Sequence, residues 1–206
     1  MTGENLNRKG AVIGVDLGGT KLSAALFTTK GEIIHKTGLL LEGAGGTAAG
    51  SMVVNQVLEH LDYARERNFN IDSVGICVPG INKQSNKTVW APNIHGWEAY
   101  PLHQQVSDAL NNPTIRVSIE SDRNCSILGE MWKGNARNCN NAILMAVGTG
   151  IGIGIVANGR IINGMNGIAG AIGWLALDRP YSHDYDQCGH FEFHASGPGI
   201  ARNAES

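Results

Sequence analysis

The same local device occurs twice in this chain. AVIGVDL (11–17) runs into Gly18-Gly19-Thr20-Lys21 and on into LSAALFT (22–28), and AILMAV (142–147) runs into Gly148-Thr149-Gly150 and on into IGIGIVA (151–157). Each copy is an apolar run, a tight glycine–threonine turn and a second apolar run, which predicts a β-hairpin with almost bare backbone at its tip. Glycine lets backbone approach an anion with no Cβ in the way. Successive amides at such a tip can converge on phosphate oxygens, with threonine hydroxyls as added donors. Neither turn is a Walker loop, because neither carries Gly-Lys-Ser/Thr at the required offset. Neither is a dinucleotide fingerprint, because a strand follows rather than a helix. Two copies with Asp16 just before the first say more than either copy alone, and they predict a duplicated α/β chain that handles phosphate.

Composition supports a folded chain and narrows the partners. Of 206 residues 28 are Gly and only 6 are Pro, and the glycines cluster, as they do where backbone meets a ligand rather than in a flexible low-complexity segment. Hydrophobic residues at 42% against 17% charged are enough for a core and exclude wholesale disorder, and the length suits one large domain or two small ones. A formal charge of -2 with no Lys/Arg block argues against nucleic acid or an anionic membrane as partner. Cys77, Cys125, Cys139 and Cys188 form no CxxC pair, which fits a reduced compartment. The leader has no signal-peptide pattern, and no run approaches the ~20 apolar residues of a membrane span. A cytoplasmic location follows as the expectation.

Between the two hairpins the pattern alternates. Strands at 11–17, 22–28 and 32–38 predict an antiparallel meander, followed by a glycine-rich loop from Leu41 to Gly46. Thr47 is placed to cap a helix in which Val53, Val57, Leu58, Leu61 and Ala64 recur at three- and four-residue spacing. A strand at 73–78 stops at Pro79-Gly80. Residues 81–98 read as a long loop holding Trp90, Asn93 and Trp97. A helix near 101–110, a strand from Ile115 to Ile119 and a helix from Asp122 to about Trp132 lead to the second hairpin.

These stretches, in this order, resemble the sugar-kinase, heat-shock-cognate and actin superfamily, and more narrowly the ROK family of bacterial repressors and sugar kinases. The resemblance is carried by GVDLGGTKLSAALF (14–27), VPGINKQSNKTVWAPNIHGW (78–97), IESDRNCSILGE (119–130), AVGTGIGIGIV (146–156) and FEFHASGPGI (191–200). It implies an α/β, ribonuclease H-like (actin-like ATPase) duplicated fold, with a complete first domain over 1–118 and an incomplete second over 119–206. The implied activity is transfer of the γ-phosphate of ATP to a hydroxyl of a hexose or related sugar. The alternatives are a sugar sensor without catalysis and an inactive truncated homologue.

The resemblance also assigns roles. Asp122 is the implied base, since a carboxylate can accept the hydroxyl proton as the bond to phosphorus forms. Asp16 is implied to hold Mg²⁺, mostly through water, as Mg²⁺ prefers few carboxylates. Gly18, Gly19, Thr20, Lys21, Gly148, Thr149 and Gly150 are the implied ATP-binding residues. Gly80, Asn93, Ser121 and Glu192, together with Asp122, are the implied sugar-binding residues. Three departures from the family pattern stand out. Ala171-Ile172-Gly173-Trp174 stands where the family has Glu-x-Gly-His, and Ser121 replaces the usual Asn before the catalytic Asp. The cysteine triplet that binds zinc falls on His183, Tyr185 and His190, with Cys188 nearby. Zinc therefore ranks low among the implied cofactors, and the altered cradle suggests a sugar other than glucose or N-acetylmannosamine. A homodimer is the family's usual state and is an expectation here.

Overall fold

A computed structural model describes residues 9–83, 85–178 and 180–205. The chain divides between Asp122 and Arg123 into two compact units. The first is built on a five-stranded sheet in the order β3-β2-β1-β4-β7, formed by β1 (Lys9–Leu17), β2 (Lys21–Thr28), β3 (Ile33–Leu40), β4 (Phe69–Val78) and β7 (Arg116–Ser121). The meander pairs antiparallel, whereas β1–β4 and β4–β7 are parallel pairs, with α1 (Gly46–Glu66) and α2 (Leu102–Leu110) in the connections. Alternation sets the faces: Ala11, Ile13, Val15 and Leu17 of β1 are all buried, and α1 lays Val53, Val57, Leu61 and Ala64 onto the same core.

Two local expectations are corrected. Thr47 does not cap α1. The cap is Gly45, in extended backbone with no side-chain hydrogen bond. The reason is a clasp from 49 residues further on: the Gly46 amide donates to the His95 carbonyl at 2.6 Å, and the Trp97 indole N–H donates to the Gly46 carbonyl at 3.0 Å. With the Gly46 amide held by His95 and the Ala48 and Ala49 amides taken by the Gly45 carbonyl, the helix starts one residue before Thr47, which lies inside its first turn. Nor is 81–98 all loop. It contains the hairpin β5 (Ile81–Lys83) with β6 (Thr88–Trp90), beyond which Val89 bridges Tyr100 and the Trp97 and Tyr100 rings stack at 4.3 Å.

The apolar stripe of α1 also carries two polar residues, Gln56 and His60, both buried. His60 is 0% exposed. Its Nδ1 lies 2.9 Å from the Gln56 carbonyl, its Nε2 makes no full hydrogen bond among the described residues, and the His35 ring is 5.2 Å away, itself stacked on Tyr63. Burial, the largest cause, holds the His60 pKa below its ordinary value. The Gln56 carbonyl opposes this, His35 adds to it, and Glu59 and the Ala24 backbone oppose it. A depressed folded-state pKa means that the unfolded chain binds the proton first. Stability is then full above about pH 6.5 and falls as pH drops through that value toward the folded pKa, with a slope of at most ~1.4 kcal/mol per pH unit. Urea midpoints measured from pH 7.5 to 5.5 should therefore fall more steeply for the wild type than for His60→Leu. Parallel slopes would remove His60 as the cause.

The second unit carries α3 (Asp122–Lys133, whose first residue closes the first unit), then β8 (Ala142–Val147), β9 (Ile151–Ala157) and β10 (Arg160–Ile161), which form a three-stranded sheet in the order β10-β9-β8. Single helical turns at Ile172–Trp174 and His183–Tyr185 precede α4 (His190–Ala195) and α5 (Gly197–Glu205). The glycines of β9 serve packing. A methyl at Gly154 would overlap the Arg123 carbonyl and stand 2.7 Å from Ile127 Cγ2, and one at Gly152 would stand 2.6 Å from Arg123 Cδ. α3 thus lies directly on the strand backbone.

Among the described residues β8 pairs with β9 alone, and Ile143 (65% exposed), Met145 (56%) and Val147 (53%) are exposed. An unpaired, apolar strand edge is a template for pairing with another chain. The protein should scatter light increasingly with concentration, and Met145→Lys should lower that scattering several-fold. Equal scattering by both would clear β8. Among the described residues no helix is long and apolar enough to cross a membrane.

Candidate functional site

In the first unit the implied residues gather at one edge of the sheet. β1, β4 and β7 run parallel, with Asp16 level with Cys77 and Cys77 level with Glu120. The chain leaves each of these strands at the same end: β1 into the Gly18–Lys21 turn, β4 into Pro79-Gly80, and β7 through Ser121 into Asp122. In parallel α/β sheets this carboxyl end is where ligands bind. Asp16 and Glu120 stand two strand spacings apart, about 10 Å, which places Asp16 and Asp122 on either side of the β4 exit. Both aspartates are exposed. Asp122 opens α3, where a negative charge is favoured by the helix dipole.

The β1–β2 turn has the form that phosphate needs. The Gly18 amide closes the hairpin on the Lys21 carbonyl at 2.8 Å, and the Thr20 carbonyl accepts the Leu41 amide at 2.9 Å. Among the described residues no backbone acceptor takes the amides of Gly19 or Thr20, and no atom lies within 4 Å of where a Gly19 Cβ would stand. Lys21 is exposed beside this tip. Gly80 has a different neighbour: a methyl there would overlap the Trp90 carbonyl, so the close approach at this glycine is made by the chain itself. Asn82 Nδ2 donates to the Ile119 carbonyl at 2.8 Å, tying the segment after Gly80 to β7. Ser121 is buried and its amide donates to Glu120 Oε1 at 2.9 Å. Asn93 is exposed on the 91–97 turn that clasps α1.

In the second unit the β8–β9 turn is exposed over Gly148, Thr149 and Gly150, and space around a Gly148 Cβ is open to 4 Å. The Gly148 amide closes on the Gly150 carbonyl at 2.9 Å, and no backbone acceptor among the described residues takes the Thr149 amide. Two later residues grip this turn. The Gly197 amide donates to the Gly148 carbonyl at 2.8 Å, and Glu192 Oε2 accepts the Ile151 amide at 2.7 Å. Glu192 thus meets the second glycine turn, a link spanning 41 residues that no local pattern announces. Asn124 Nδ2 likewise donates to Asn163 Oδ1 at 2.6 Å, joining α3 to the stretch after β10.

The altered positions show their consequences. Trp174 is 58% exposed, whereas Gly173 beside it is buried against Glu192. His183 faces Asp186, 3.3 Å from Nδ1 to Oδ2, and His190 sets its ring edge-on to Tyr185 at 4.9 Å, its Nδ1 buried with no hydrogen-bond partner among the described residues. Burial pushes the Cys188 thiol pKa up, with the Glu192 charge adding to it and Arg202 opposing. Among the described residues no group of three or more His, Cys, Asp or Glu side chains is placed to hold a metal ion.

The ROK family model matches residues 12–206. The chain is 34% identical over 200 residues to a glucokinase of Halalkalibacterium halodurans, covering 93% of this chain and 58% of that one. It is 28% identical over 204 residues to a xylose repressor of Bacillus spizizenii, covering 97% and 52%. In structure it is similar to a ROK family glucokinase from Streptomyces griseus solved with glucose and AMPPNP, with TM-score 0.75, 27% identity, and coverage of 95% of this chain and 60% of that one. The chain thus spans little more than half the length of the curated relatives it matches.

Proposed function

The chain belongs to the ROK family, and from that premise we propose that it carries the phosphate-turn and base portion of an ATP-dependent sugar kinase. The observation that supports this reading best is the parallel-strand edge, which sets Asp16 and Asp122 on either side of one strand exit beside a turn with unused amides. The residues fit a nucleotide with its metal. Gly19 leaves room for backbone to meet phosphate, and Asp16 offers one exposed carboxylate, which suits a cation that keeps most of its waters. When bound, ATP supplies the phosphoryl group, and Mg²⁺ neutralises charge on its oxygens.

The chain's own residues then have separable tasks. In the first unit the amides of Gly19 and Thr20 would donate to phosphate oxygens, with Gly18 shaping the turn and Lys21 adding positive charge; in the second the Thr149 amide, in the turn shaped by Gly148 and Gly150, is assigned the same kind of contact. Asp122 accepts the proton of the sugar hydroxyl as it attacks, which raises the nucleophilicity of the oxygen when it is needed. Gly80, Asn93 and Ser121 of the first unit are assigned to hold the sugar, and Glu192 is assigned a sugar contact from the second. Trp174 and Ala171 remove two polar partners from that cradle, so selectivity shifts toward a sugar with fewer hydroxyls to satisfy.

A sugar sensor without catalysis is the second reading, favoured by Trp174 and by the similarity to a xylose repressor. ADP release measured across a panel of hexoses, pentoses and amino sugars, beside thermal shifts with the same sugars, separates the two. Sugar-dependent ADP release supports the kinase. A sugar-dependent rise in Tm with no ADP release supports the sensor.

A further inference from the structure

The geometry points to Glu192 as the positioning residue of the Gly148–Gly150 turn, so that its carboxylate governs nucleotide affinity as well as meeting the sugar. This rests on the kinase reading for the identity of the ligand at the turn, but the tie itself is independent of it. Glu192 Oε2 accepts the Ile151 amide at 2.7 Å, at the first residue of β9, immediately after the turn. A charged acceptor on a backbone amide is among the stronger hydrogen bonds.

Two glycines make room for it. A methyl at Gly150 would stand 2.9 Å from Oε2 and one at Gly173 would stand 2.7 Å from it, so the carboxylate is seated between the turn and the 172–174 segment. On the other flank the Gly197 amide takes the Gly148 carbonyl, so α4 and α5 hold both ends of the turn. Oε1 makes no hydrogen bond among the described residues and is left for a hydroxyl. One carboxylate thus touches the phosphate turn through one oxygen and offers the other to the acceptor sugar.

A residue that only contacts sugar leaves nucleotide binding unchanged when no sugar is present. The test is therefore titration of the full chain with AMPPNP, without sugar, for wild type, Glu192→Ala, Glu192→Gln and Gly173→Ala, alongside hydrogen exchange at the Ile151 amide. Glu192→Ala should weaken AMPPNP binding about tenfold or more and speed Ile151 exchange by at least as much. Glu192→Gln keeps an oxygen acceptor and should recover most of both. Gly173→Ala, which crowds the carboxylate without removing it, should weaken binding in the same direction. AMPPNP affinity equal in wild type and Glu192→Ala overturns the nucleotide role, and equal Ile151 exchange overturns the tie. A wild type that binds no AMPPNP, with Ile151 still protected through Glu192, overturns the kinase reading while the tie stands.

Discussion

On the proposed kinase reading, replacing Asp122 with asparagine should lower the rate of phosphoryl transfer by about three orders of magnitude, with sugar affinity little changed. Asparagine keeps the size and the hydrogen-bonding oxygen of the side chain but cannot take up a proton at neutral pH. The substitution therefore removes the proton acceptor and spares the contacts. Loss of a positioned general base costs on the order of 10²–10⁴ in rate. The fold should tolerate it, because asparagine is also a good residue at a helix start and the lost dipole term is only about 0.3–1 kcal/mol. ADP release read at saturating ATP and sugar gives the result directly. Turnover within tenfold of wild type would place the base elsewhere, and a large drop in Tm would turn the result into one about folding.

The second large effect is on stability. Gly154→Ala should destabilise the protein by about 3 kcal/mol, because the new methyl overlaps the Arg123 carbonyl and crowds Ile127, which is almost wholly buried. Backbone cannot swing aside as a side-chain tip can, so α3 must lift off β9 or the strand must bend. Gly129→Ala supplies the contrast. It lies on α3 itself, nothing stands within 4 Å of its Cβ position, and there the gain in helix propensity of about 1 kcal/mol should appear unopposed. Urea unfolding of the two variants reads both signs in one experiment. If both substitutions stabilise, the tight α3–β9 contact is wrong.

The legible part of this fold was the part written in short-range pattern. The two hairpins, the helix from Asp122 and the strand that ends at Val78 all follow from alternation, turn residues and spacing within a dozen positions. Asp16 and the two glycine turns were legible for the same reason, since each sits at the end of an apolar run. What escaped was set by distant partners. Thr47 lost its cap to a carbonyl at His95, and His60 sits in an apolar stripe because its Nδ1 finds a backbone carbonyl there. The clustering of glycines points to backbone meeting a ligand, whereas Gly152 and Gly154 make room for a helix. Glu192 was readable as a polar residue of a ligand cradle, but its bond to Ile151 depends on a fold that no local window contains.

The order of strands in the first sheet has a consequence for how the chain acquires its site. β1, β2 and β3 are joined by tight turns, so their pairing costs little loop-closure entropy and should form early. β1 reaches β4, and β4 reaches β7, only after intervening helices are in place, and such non-local parallel pairings are the slow steps of folding. Asp16 belongs to the fast element, whereas Asp122 follows the last strand to join. A chain caught midway through refolding would therefore hold the Gly18–Lys21 turn assembled before Asp122 is brought to the same end of the sheet, and the strand end on which the proposed kinase reading rests is complete only with the last pairing.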